Sequence, residues 1–139
     1  AWTALLMMSL WGVGPAVVIY LAGLRDVPKQ LHEAASLDGV GSWGRFVHVT
    51  LPMISPVILF NVVIGIINAA QVFVIPLVMT GGGPGRSTYF FAMYVYDQAF
   101  QYGDMGYASV LGLVQFAAIL VLTGLVLLLG QRFVYYRGA

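Results

Sequence analysis

The chain has 139 residues, 60% of them hydrophobic and only 8% charged, with a net charge of +1 and no cysteine. A soluble domain carries about 25% charged residues, so this chain lacks the polar surface needed to remain in water. The small net charge argues against a nucleic-acid partner, and the missing cysteines exclude disulfides and cysteine-based metal sites.

Three uncharged stretches run from Trp2 to Leu24, Pro52 to Thr80 and Tyr107 to Gly130. Each exceeds the roughly 20 residues that cross about 30 Å of hydrocarbon as a helix. The expected fold is all-α, a polytopic transmembrane helical bundle with spans at about 2–24, 53–80 and 107–130. Between them lie a loop at 25–52 and a segment at 81–106. The whole chain, 1–139, reads as one transmembrane domain. It opens on Ala1-Trp2 inside an apolar run, with no basic leader. It is therefore expected to be the C-terminal fragment of a longer protein, with upstream helices to be supplied.

In the first span, Gly12-Val-Gly14-Pro15 predicts a kink or interruption near the middle. The loop at 25–52 holds Arg25, Lys29 and Arg45 with His32 and His48, and the tail after Gly130 holds Arg132 and Arg137. The connection at 81–106 has Arg86 beside Asp97 and Asp104. The positive-inside rule then places the first loop and the C-terminus in the cytoplasm and the second connection outside. Trp2, Tyr20, Tyr89, Tyr94, Tyr135 and Tyr136 fall near the interfaces this orientation defines, where amphipathic rings prefer to sit.

The cytoplasmic loop reads as a helix, a turn and a second helix. Pro28 suits a first helical position. Gly39 suits a left-handed helix end. Val40 to Val49 resumes the pattern, and Leu51-Pro52 turns the chain into the membrane. Ala34 and Ala35 allow close approach of a partner, and Glu33 offers it a charge. An amphipathic linker lying on lipid is the alternative; Glu33, Asp38 and the want of a large apolar face count against it.

In the second span Asn61, Gly65 and Asn68 share one helical face, with Gln71 at its edge. Amides offer donors and acceptors to hydroxyl-rich solutes, and this face is the candidate solute path. The same groups can instead bond neighbouring helices, at about 0.6 kcal/mol each. Pro56 lies in the first turn of this span and Pro76 near its end. Gln115, on the ridge Ser109-Gly112-Gln115 of the third span, is a further candidate with the same alternative. Phe73 and Tyr107 can stack on sugar faces or pack against core and lipid. Gly81-Gly-Gly-Pro-Gly85 predicts a tight external turn, and Ser87 to Gln101 an external helix near the membrane surface. No catalytic or metal-binding set is expected: His32 and His48 lack a third ligand, and Asp97 and Asp104 read as surface or cap residues.

The run Glu33-Ala-Ala-x-x-x-Gly39, followed after nine residues by Val49-x-Leu51-Pro52, resembles the EAA loop of permease subunits of binding-protein-dependent ABC importers. The family usually has isoleucine where Val49 stands. Asp38 before Gly39, Thr80-Gly-Gly-Gly-Pro84, the segment Gln98 to Ser109 and the tail Arg132 to Tyr136 are similar to the carbohydrate and glycerol-phosphate branch. The resemblance implies a coupling helix seated in a cleft of cytoplasmic ATPase subunits, with Glu33, Ala34, Ala35 and Gly39 docking and Leu37 and Asp38 adjacent. It implies a second homologous permease, an extracytoplasmic solute-binding protein and a bacterial inner-membrane location. A carboxylate paired in such a cleft costs on the order of 2–5 kcal/mol to truncate. The chain has no phosphate-binding loop of its own, so no cofactor is expected here; ATP and Mg belong to the partner ATPase. The reading is a sugar or polyol importer subunit without enzymatic activity. An ion-independent secondary carrier or membrane enzyme is the alternative, and no span holds the ionisable residue expected of a proton-coupled carrier.

Overall fold

A computed structural model describes residues 1–134; Tyr135, Tyr136 and Arg137 lie outside the described residues. The helices are α1 (Trp2–Trp11), α2 (Gly14–Arg25), α3 (Lys29–Leu37), α4 (Ser42–Arg45), α5 (Leu51–Met53), α6 (Ser55–Ala70), α7 (Val74–Thr80), α8 (Phe91–Tyr96) and α9 (Met105–Gly130). Wider π turns cover Phe46–Thr50 and Asp97–Gln101. Among the described residues there is no strand.

Prolines explain where the helices stop. A proline has no N–H for the carbonyl four residues back, and its ring presses on that carbonyl. Pro15 addresses Trp11, the last residue of α1, and the chain breaks at 12–13. Pro56 addresses Pro52, and the chain bends by 66° at Ile54 between the helical run 42–53 and α6. Pro76 addresses Val72, and α6 ends at Ala70 before α7 restarts at Val74. Each proline thus sits in the first turn of a new helix, where its missing donor is harmless.

Two expectations change as a result. The run predicted as one helix over 53–80 is two helices, interrupted at 71–73. The bend expected at Leu51-Pro52 comes at Ile54 instead. Pro52 lies inside α5, directly after the π turn, where Leu51 N–H reaches back to the Phe46 carbonyl. The expected interruption of the first span occurs where Gly12 to Pro15 placed it.

α9 has 26 residues and is long and apolar enough to cross a membrane. At 1.5 Å per residue it measures about 39 Å. There are up to three spans if each bent pair, α1 with α2 and 42–53 with α6, counts as one.

The contacts divide the chain into two units. One comprises Val13–Val63 and the residues from Val126. Its helices approach through small residues: a Cβ on Gly23 would lie 2.8 Å from Val57, and one on Gly130 would lie 2.5 Å from Leu59. Small residues permit such close backbone packing in membranes. An apolar groove of about 470 Å³ runs between α6 and the end of α9, bordered by Leu51, Leu59, Val62, Leu129 and Phe133.

The other unit comprises Ala1–Gly12 and Ile64–Leu125. Its turn from Gly81 to Tyr89 is built around Thr88, which is 1% exposed. The Thr88 hydroxyl donates to the Gly83 carbonyl at 2.8 Å and lies 2.7 Å from the Thr80 hydroxyl. Thr80 lies 2.8 Å from the Pro76 carbonyl, so its single proton is shared between that oxygen and Thr88. Gly82, at φ +84°, lets Tyr89 lie where a Cβ would meet it at 2.9 Å. The helix predicted over 87–101 begins four residues later, at Phe91, because this turn consumes the residues before it. Asp104 caps α9 by accepting the Tyr107 N–H at 2.9 Å, in keeping with its reading as a cap residue. Trp2 packs edge-on against Phe90, centroids 6.0 Å apart.

Candidate functional site

The loop at 25–52 carries the first candidate site. Pro28 is extended, with ψ 131°, and serves as the N-cap of α3 rather than its first helical residue. At the other end Gly39 takes φ +75°. The Gly39 N–H bonds the Ser36 carbonyl at 3.2 Å, and the Val40 N–H bonds the Ala35 carbonyl at 3.1 Å. These two bonds are the Schellman closure of a helix. The closure leaves Asp38 as C-cap and ends the EAA run at a defined point.

Glu33, Ala34, Leu37 and Asp38 are exposed on α3, and Ala35 is half-buried. The Ser36 hydroxyl donates to the Glu33 carbonyl at 2.6 Å, so that contact uses the backbone of Glu33 and leaves its carboxylate outside it. His48 donates from Nδ1 to the Gly44 carbonyl at 3.0 Å. This fixes its tautomer, because a carbonyl only accepts. One expectation fails: the loop does carry apolar surface. Leu37 is 89% exposed and Trp43 77%, with Trp43 stacked on Phe46 at 5.8 Å. Trp43 was not singled out in the sequence; the short helices leave both it and Leu37 outside.

The second candidate site is a cleft of about 360 Å³ lined by Ile67, Gln71, Ala92, Gly112, Gln115, Phe116 and Ile119. Of the four amides singled out in the sequence, it unites Gln71 and Gln115. Asn68 is exposed on α6 and does not line it. Asn61 belongs to the other unit, and its Nδ2 donates to the Val57 carbonyl of its own helix at 3.0 Å. Gln71 lies beyond the end of α6, so it does not continue the Asn61–Asn68 face. Gln115 donates from Nε2 to the Ala70 carbonyl at 2.7 Å. Ala92 and Phe116 gave no sequence signal, since apolar side chains in an apolar chain look alike.

Phe73 lies against Tyr96 at 5.1 Å, and Tyr96 against Phe100 at 4.9 Å. Phe73 therefore packs in an aromatic row and does not line the cleft. Tyr107 meets the Tyr94 hydroxyl at 3.5 Å. In the turn region, the Tyr89 hydroxyl donates to Asp97, and the Arg86 guanidinium sits 5.4 Å from the Tyr89 ring centre. Burial first, and then the hydrogen bond and charge of Asp97, push the Tyr89 phenol up to about 12. Asp97 is thus an anchor within the turn region. Among the described residues no three His, Asp or Glu side chains gather to hold a metal ion.

The family described as the binding-protein-dependent transport system inner membrane component matches residues 1–135. The sulfoquinovosyl glycerol transport system permease protein of Agrobacterium fabrum is 39% identical over 128 residues, covering 91% of this chain and 42% of that protein. The trehalose/maltose transport system permease protein of Thermococcus litoralis is 33% identical over 132 residues, covering 94% and 44% respectively. The lactose transport system permease protein of Rhizobium radiobacter is 36% identical over 113 residues, covering 79% and 38%. The chain spans about two-fifths of the length of these relatives. With an all-helical membrane architecture and a match along nearly its whole length, the chain belongs to the inner membrane components of binding-protein-dependent transport systems.

Proposed function

We propose that the chain is part of the transmembrane subunit of an ATP-driven importer that moves a sugar or similar polyol across the bacterial inner membrane. The subunit transmits work and performs no chemistry of its own. ATP and Mg are bound by cytoplasmic ATPase subunits; a second homologous permease completes the path, and an extracytoplasmic solute-binding protein delivers the solute. The loop at 25–52 and the C-terminus face the cytoplasm, and 81–106 faces outward.

The observation that carries this reading is α3. It is a short, closed helix whose Glu33, Ala34, Leu37 and Asp38 are exposed together beside the uncovered Trp43. Such a face suits a cleft that is apolar at its floor and basic at its rim. Glu33, Ala34, Ala35, Leu37, Asp38 and Gly39 form the docking set, and movement of the ATPases would carry the attached helices as rigid bodies. The sugar class is supported by the substrates for which the relatives are named and by two amides on one cleft. Gln71 and Gln115 are the preferred solute contacts, with Asn61 and Asn68 subordinate.

The test is Glu33→Lys in the complete transporter, reconstituted with its ATPase and binding protein. We expect solute-stimulated ATP hydrolysis to fall by about tenfold or more, with membrane insertion unchanged. Trehalose, lactose and sulfoquinovosyl glycerol serve as the solute panel. Hydrolysis and uptake at wild-type rates in this variant would overturn the docking assignment.

A further inference from the structure

The break at 71–73 leaves a problem that only Gln115 solves within reach of the described contacts. In a continuous helix the Ala70 carbonyl would bond the N–H of residue 74, but Val74 starts a new helix after Phe73 turns away at φ −138°, ψ −59°. The Gln71 N–H turns back to the Ile67 and Asn68 carbonyls, at 3.2 and 3.3 Å, and does not help. An unpaired carbonyl away from water is costly. Gln115 supplies the donor from 45 residues away, at 2.7 Å. The same side chain forms a wall of the cleft that Gln71 enters, and Gly112, one turn earlier on α9, leaves that wall open.

We infer that Gln115 is a positioning residue: its amide clamps the broken end of α6 and thereby fixes Gln71 in the cleft. Gln71 follows Ala70 directly, so holding the Ala70 carbonyl sets where the next side chain leaves the backbone. The functional weight of the clamp rests on the solute path proposed above. Its geometry does not, because the orphaned carbonyl exists whichever solute enters. A donor is essential at position 115, since the partner is an acceptor only.

The chain has no cysteine; once any cysteines in the rest of the transporter are replaced by serine, a single one introduced at Val72 reports the state of the break. The measurement is labelling of Val72→Cys by a water-soluble maleimide in the complete, detergent-purified transporter. Each rate is divided by that of Ser87→Cys, an exposed reference in the external turn. The ratios are then compared with that of the Gln115 parent at the same pH, which removes the pH dependence of the two thiols. Combining Val72→Cys with Gln115→Met, which keeps the length and loses the donor, should speed labelling about fivefold or more. Gln115→Glu should behave like Gln115→Met when ionised and return toward wild type as pH is lowered, because only the protonated carboxyl donates. Gln115→Met should stay flat with pH. Equal relative rates for wild type, Gln115→Met and Gln115→Glu at every pH would overturn the clamp. A Gln71→Ala variant with unaltered uptake of every panel sugar that the wild type transports would instead overturn the solute path and leave the clamp standing.

Discussion

Gly39, Thr88 and Tyr89 show how single residues hold the connections in place. At Gly39 no atom lies within 4 Å of an added Cβ, so the demand for glycine is one of backbone angle alone. Gly39→Ala should cost about 1–2 kcal/mol, the penalty of a left-handed L-residue. The amide of Val40 should then exchange about 5–30-fold faster; an unchanged rate would argue against the closure described. Thr88→Val keeps the shape but leaves the Gly83 carbonyl without its donor, at a cost of about 1–3 kcal/mol. A lowered thermal unfolding midpoint in detergent checks this. Tyr89 has a folded-state pKa of about 12, above the ordinary value of 10.0. The neutral phenol is the favoured form, so its contribution is fully present below about pH 10 and is lost as pH rises through about 12. Asp97→Asn removes the carboxylate that favours the neutral form. It should move the Tyr89 midpoint downward, read as phenolate absorbance against Tyr89→Phe.

Among the elements, breaks carry more information than the helices themselves. Pro15, Pro56 and Pro76 each open a helix and end the one before it. The π turn over Phe46–Thr50 has the same origin: Pro52 has no N–H for the His48 carbonyl, and a regular turn would drive its ring into that carbonyl. Pro52→Ala should restore the missing bond and convert residues 46–50 toward an α turn, visible in their backbone carbonyl chemical shifts. No change in those shifts would mean that the π turn has another cause. α3 stands apart as a short helix that starts after Pro28 and is closed at Gly39, which lets the EAA run act as a unit in the docking proposed for it.

Across the whole molecule, the cleft draws residues from α6, α8, α9 and the break between α6 and α7. If it is the solute path, Gln71→Ala should raise the uptake KM about fivefold, in line with loss of one hydrogen bond. Asn61→Ala should leave KM within about twofold, because it does not line the cleft. Equal effects of the two substitutions would count against the cleft. The membrane class, the helical fold and the helix end at Gly39 were legible from the residues, because hydropathy, glycine and proline act locally. The interruption at 71–73 was not foreseen: Pro76 marked a break, but the length of the apolar run hid it. Helical spacing joined Asn61 to Asn68 and Gln71, a rule that holds only while the helix continues. The pairing of Gln71 with Gln115, the burial of Thr88 and the exposure of Leu37 and Trp43 depend on which segments meet. Composition and local backbone rules alone determined a helical membrane chain with a short helix between Pro28 and Gly39; tertiary contact decided which amides share a cleft, because the carbonyl left at the broken end of a helix, at Ala70, finds its donor 45 residues away.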